Sequence, residues 1–211
     1  MKLYPNAYPV IRPQIRVGDV FAFSGRGFIS GGIRTFAGDP THVAGVERTD
    51  KDEVWLIEST TLSGVKGVQR TKARQRAAEY DGKVILLRRS DEYRAHVNWD
   101  RWLEFLKSYE ARKVPYDERQ CLRMILAPLA HIPGFGILRN HMDLSKVYCS
   151  ELLAGAEIAS GGLPMDFNAS DCSPRDYCRQ GMWSEAIPIK GDFKINEFNS
   201  KPIEWVMGAA A

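Results

Sequence analysis

In the first part of the chain, apolar and polar positions follow the two-residue period of β-strands. "RVGDVFAFS" (16–24) carries Val17, Val20, Phe21 and Phe23 around a Gly-Asp turn. "THVAGVER" (41–48) and "EVWLIEST" (53–60) are apolar runs separated by the polar "TDKD", a hairpin signal. "GKVILLRRS" (82–90) is a further strand. The period then becomes helical. "NWDRWLEFLKSYEARK" (98–113) repeats Trp99, Trp102, Leu103, Leu106 and Tyr109, with Asn98 placed as N-cap. A helix is expected over 118–130. Another is expected over "CSELLAGAEIAS" (149–160), ended by Gly161-Gly162. "SPRDYCRQ" (173–180) offers Ser173 as N-cap, Pro174 at the first helical position and Asp176 for a capping box. The pattern is that of an α+β chain, strands first and helices mostly second, with a small antiparallel sheet.

Two polar residues interrupt this apolar strand pattern. His42 shares a face with Ala44 and Val46, and Glu58 shares one with Val54 and Leu56. A hairpin turn near 49–51 brings His42 and Glu58 opposite or diagonal to each other, whereas the other register would put Trp55 and Ile57 beside His42. A buried carboxylate is costly unless paired, and an imidazole N–H would pair it. Two readings stay open at this point: a His–Glu pair that holds the hairpin together, and the base and orienter of a catalytic triad.

Cys149 bears on that choice. It opens the 149–160 helix, where unsatisfied N–H groups and the positive end of the helix dipole favour a thiolate. Cys149, His42 and Glu58 together supply a nucleophile, a base and an orienting acid. The backbone N–H of Cys149 would face the developing oxyanion. Taken alone, Cys149 reads equally as an inert cysteine on an apolar helix.

Composition narrows the field. The 211 residues carry 44% hydrophobic and 26% charged residues, which suits a folded globular chain. A net charge of +3 is too small for a nucleic-acid footprint, so no nucleic-acid partner is expected. The basic clusters at Arg70–Arg76 and Arg88-Arg89 read as solvated surface. Four cysteines make no disulfide framework. Cys172 and Cys178 read as free buried thiols, although an oxidising compartment would allow them to bridge. The cysteine spacing does not suit zinc, and neither metal nor other cofactor is expected.

"GRGFISGG" (25–32) does not fit a phosphate loop and is expected to shape a cleft before His42. His96, His131 and His141 read as surface or capping residues. The N-terminus shows no secretion signal, and the apolar stretch 121–138 is interrupted by Arg123, Pro128, His131 and Pro133. The expectation is a chain with no transmembrane segment, cytoplasmic or released without a classical signal peptide.

The segments "GDVFAFSG", "THVAGV", "WLIEST", "VPYD" and "YCSELL", in that order, resemble the circularly permuted branch of the NlpC-type papain-like amidases, the YiiX-like group. The resemblance runs from about Gly18 to the "SPRDY" near residue 173. It implies a single permuted papain-like domain over 1–211, with a small sheet packed against the helix that carries the nucleophile. It matches Cys149 to the nucleophile, His42 to the base and Glu58 to the orienting acid. Tyr148 matches a site residue that donates to the oxyanion, with a core tyrosine as the equal alternative, and Tyr116 matches a pocket wall. The implied activity is a cysteine peptidase or amidase that acts on cell-wall-type (peptidoglycan) peptides. The alternatives are an acyltransferase, lipid or thioester hydrolase using the same triad, for which segment 121–138 would wall an acyl chain, and a catalytically idle binding module. The expected partner is a peptide or acyl small molecule.

Overall fold

The structure is a computed structural model that describes residues 7–25, 38–50, 53–61, 64–118 and 145–203. Its centre is a six-stranded antiparallel sheet of β1 (Val20–Gly25), β2 (His42–Thr49), β3 (Val54–Thr60), β4 (Gly67–Lys72), β5 (Gly82–Arg89) and β6 (Trp183–Lys190). The strand order is β4-β3-β2-β1-β5-β6. Around it lie α1 (Ala7–Ile11), α2 (Ala73–Glu79), α3 (Asp91–His96), α4 (Trp99–Ala111), α5 (Cys149–Ala159) and α6 (Pro174–Arg179).

Alternation along the strands sends apolar side chains to both faces. Phe21, Phe23, Ala44, Val46, Leu56, Val84 and Leu86 pack with Ala73 and Ala77 of α2 and with Tyr8 and Ile11 of α1. Val20, Ala22, Val43, Ile57, Ile85 and Leu87 pack with Trp102 and Leu106 of α4 and with Leu152, Leu153 and Ala156 of α5. Burial on both faces explains why the central strands read as nearly continuous apolar runs.

Two features seat α5 on the sheet. At Gly45 a Cβ would come within 2.9 Å of both Leu153 Cδ2 and Trp102 Cη2, so only glycine lets α4 and α5 approach β2 this closely. At the other end of the helix, fully buried Glu157 accepts from Arg89 and Tyr93, from Tyr177 Oη at 2.7 Å and from Trp102 Nε1 at 3.1 Å. Arg89 also donates from Nε to the Gly18 carbonyl at 2.9 Å, and its guanidinium lies 4.1 Å from the Trp183 ring centroid. A buried charge pair of this kind is tolerable because each nitrogen of the guanidinium and each oxygen of the carboxylate has a hydrogen-bond partner.

The caps follow the sequence. Asn98 accepts from the Arg101 amide, and Ser173 accepts from the Asp176 amide behind Pro174. The Ser173 hydroxyl in turn donates to the Asp176 carboxylate at 2.6 Å. Gly161, at φ +80, follows the last turn of α5, as a glycine stop requires.

Three expectations need correction. The sheet is not completed before the helices, because β6 arrives after α6 and pairs with β5. Strand β4 and helix α2 lie in a stretch read only as basic surface; β4 is an edge strand whose polar residues hide the apolar period. The basic clusters are not wholly solvated either. Arg76 and Arg89 are buried and bonded to carboxylates. The "GRGFISGG" loop beyond Gly25, the 118–130 helix beyond Glu118, segment 121–138, Cys121, His131 and His141 lie outside the described residues. His96, on α3, is exposed, and its Nδ1 is 2.9 Å from the Glu92 carbonyl oxygen.

Candidate active site

The base and the acid come from neighbouring strands. β2 and β3 pair Gly45 with Ile57 and Val46 with Leu56, and continuing that register leaves His42 and Glu58 diagonal on one face. A bulge between Val46 and Arg48 absorbs the turn without disturbing this end of the hairpin. The start of β2 is held by Thr41, whose amide and hydroxyl both donate to the Phe23 carbonyl.

His42 Nε2 lies 2.6 Å from Glu58 Oε2, with the carboxylate fully buried and the imidazole nearly so. Glu58 is tied down from two further elements. Thr71 of β4 donates to Oε1 at 2.7 Å, and Arg76 Nε of α2 lies 3.0 Å from Oε1 and 3.2 Å from Oε2. Arg76 is itself fixed by stacking, 4.7 Å from the Phe23 ring centroid and 5.0 Å from that of Tyr80. The Phe23 ring lies 5.5 Å from the imidazole and closes its other side.

Burial works against the charged form of Glu58. The hydrogen bond and charge of His42, with those of Arg76, outweigh it and hold the carboxyl down at about 2. An ionised carboxylate only accepts, so Nε2 carries the proton of the 2.6 Å bond and Nδ1 is the ring nitrogen left for exchange. Burial likewise disfavours the imidazolium. It is overcome by Cys149, through the charge of its thiolate form and a hydrogen bond, and then by Glu58, which raise His42 to about 9. The three residues, of which His42 and Cys149 are 107 positions apart, therefore interact with one another through His42.

Cys149 is the first residue of α5 and is buried. The preceding residues are fixed from several directions. The Ser59 hydroxyl donates to the Val147 carbonyl at 2.6 Å, Val147 forms a bridge to Tyr116, and the Tyr148 amide donates to Glu151 Oε2 at 3.3 Å. The Ser170 hydroxyl holds Glu151 from the other side. The first-turn amides of α5 have no intrahelical acceptors, which leaves donors at the nucleophile. Cys172 and Cys178 are free and buried, and burial first of all pushes both thiols upward, against the thiolate form.

Of the two roles open for Tyr148, the core role fits. Its side chain is fully buried and its hydroxyl donates to the Cys172 carbonyl at 2.6 Å, so that proton is committed away from an oxyanion. Tyr116 is half-buried and forms a bridge with Val147, two residues before Cys149. Arg76 and Thr71 are the site residues that the sequence reading missed. Their one signal is that a buried acid at Glu58 requires donors beyond a single imidazole.

No family model matches the chain, and no curated protein matches it. Among solved structures the chain is similar to the metalloprotein YiiX from Escherichia coli O157:H7, with a TM-score of 0.51 and 14% identity, over 91% of this chain and 94% of that one. The likeness is one of fold: a mixed α+β chain with YiiX-like architecture. Among the described residues no helix is long and apolar enough to cross a membrane.

Proposed function

We propose that this chain is a cysteine-dependent amide hydrolase of permuted papain-like (NlpC-type) design, acting through Cys149, His42 and Glu58. The observation that carries the reading is the 2.6 Å His42–Glu58 contact joined to the Cys149 thiol at a helix N-terminus. The Cys149 proton passes to His42, and the thiolate forms an S–C bond to the carbonyl carbon. The oxyanion is met by the Cys149 backbone N–H. Collapse breaks the C–N bond as the His42 imidazolium gives its proton to the leaving amine. His42 then takes a proton from water, which attacks the thioester and releases a carboxylic acid and the thiol. Glu58 fixes the ring and stabilises its charged form throughout.

YiiX is described as a metalloprotein, which raises a metal for this chain as well. The described residues do not fit one. No group of three or more His, Cys, Asp and Glu converges as ligands among them, and the Arg76 guanidinium occupies the carboxylate that a cation would need.

Cell-wall-type peptide amides are the first substrate class. The apolar composition of "CLRMILAPLAHIPGFGIL" (121–138) favours acyl lipids or thioesters as the second. Incubating the protein with muropeptides and acyl lipids together, then weighing the Cys149 adduct by mass spectrometry, tests the reading. A peptidyl adduct is expected, and a fatty-acyl adduct would move the substrate class. No adduct from either class would leave a binding module.

A further inference from the structure

Glu58 is held more tightly than a triad acid needs for its bond to histidine alone. Arg76 reaches both carboxylate oxygens through Nε, and it approaches from α2, an element separate from the strands that carry His42 and Glu58. It is buried, with its guanidinium stacked on Phe23 and Tyr80.

Of the other cations nearby, three are engaged elsewhere, and Arg74 of α2 is exposed. Arg70 pairs with Glu47 and Glu110, Lys72 pairs with Glu53, and Lys190 donates to the carbonyls of Ala77, Ala78 and Tyr80. The groups facing the His42–Glu58 pair are thus Arg76 from α2, neutral Thr71 from β4, the Phe23 ring from β1 and Cys149 from α5. Among the described residues, Glu58 makes ion pairs with His42 and Arg76.

We infer that Arg76 is a positioning residue of this site: it fixes the Glu58 carboxylate toward His42 and shares its charge, so the imidazole can release a proton as well as hold one. This rests on the hydrolase reading above. A buried carboxylate given wholly to the imidazole would over-stabilise the imidazolium, whereas catalysis needs a ring that cycles between both forms. The cation also accounts in part for how far Glu58 is held below the usual carboxylate range.

The test is the titration of His42 itself. The chain has four histidines, so ¹⁵N-histidine labelling with His42→Ala as the assignment control gives a clean signal. Arg76→Gln should move the His42 midpoint upward by roughly 0.5–1 pH unit; a charge within ~4–6 Å shifts a group by about 1–3 units, and Arg76 acts through the carboxylate. The alkaline limb of Cys149 alkylation by iodoacetate, an anion drawn by the imidazolium, should move with it. Arg76→Lys, which keeps the charge but not the planar, stacked guanidinium, should raise the midpoint by less than Arg76→Gln does. An unchanged midpoint in Arg76→Gln overturns the inference. So does a folded Arg76→Lys that titrates a full unit higher, and that variant decides the matter if Arg76→Gln does not fold. Selective labelling of Cys149 in the wild type is scored separately. Its absence beside a shifted Arg76→Gln midpoint would remove the hydrolase reading and, with it, the catalytic purpose assigned to Arg76. Its presence beside an unshifted midpoint would remove Arg76 alone.

Discussion

His42 Nε2 and Glu58 Oε2 are 2.6 Å apart, and the carboxylate has no exposed surface. A contact this close between a buried acid and a base ties the stability of the fold to the protonation of the site. His42 is raised from 6.5 to about 9, so its contribution is fully present below 6.5 and is lost as pH rises through 9. Glu58 is lowered from 4.5 to about 2, so its contribution is fully present above 4.5 and is lost as pH falls through 2. Urea unfolding across a pH series should therefore show the pair's full stabilisation between about 4.5 and 6.5. His42→Ala should flatten the alkaline decline, and an undiminished decline in that variant would assign it to other groups.

Glu58→Gln separates structure from chemistry. Removing the carboxylate strands the buried Arg76 guanidinium, which should cost about 3–5 kcal/mol in unfolding free energy. It should also slow Cys149 alkylation at neutral pH by about tenfold or more, as each unit lost from the imidazole midpoint is worth about 1.4 kcal/mol. The double variant Glu58→Gln/Arg76→Met should regain part of the stability and none of the reactivity. Recovery of both would reduce the acid to a structural role.

Tyr148→Phe distinguishes a core tyrosine from an oxyanion donor. The lost bond to the Cys172 carbonyl should cost about 1 kcal/mol of stability. Acyl-enzyme formation should stay within about twofold of the wild type. A loss of about a hundredfold or more, the size seen when an oxyanion donor is removed, would restore the catalytic role to Tyr148.

The parts of the site legible in the sequence lie on elements with a strong local signature. His42 and Glu58 interrupt strands of clear two-residue period, and Cys149 opens a helix closed by Gly161. Arg76 had no such signature. "ARQRAAE" reads as a charged surface helix, and what buries its arginine is a carboxylate from a strand eighteen residues earlier. Arg89 was hidden in the same way, because Glu157, Tyr93 and Tyr177 converge on it from three separate helices. Strand β6 escaped because Pro188 and the polar Ser184 and Glu185 break its pattern, which an edge strand tolerates. Local periodicity reports elements; it does not report long-range pairing of charges.

The relative rates of iodoacetamide labelling at Cys149, Cys172 and Cys178 bear on the whole account, because all three are buried and exposure does not separate them. Near pH 6.5, peptide mapping should find Cys149 alkylated about tenfold or more faster than Cys172 and Cys178, with the advantage lost in His42→Ala. Equal rates at the three thiols, or a Cys149 rate indifferent to His42→Ala, would contradict an activated Cys149–His42–Glu58 site.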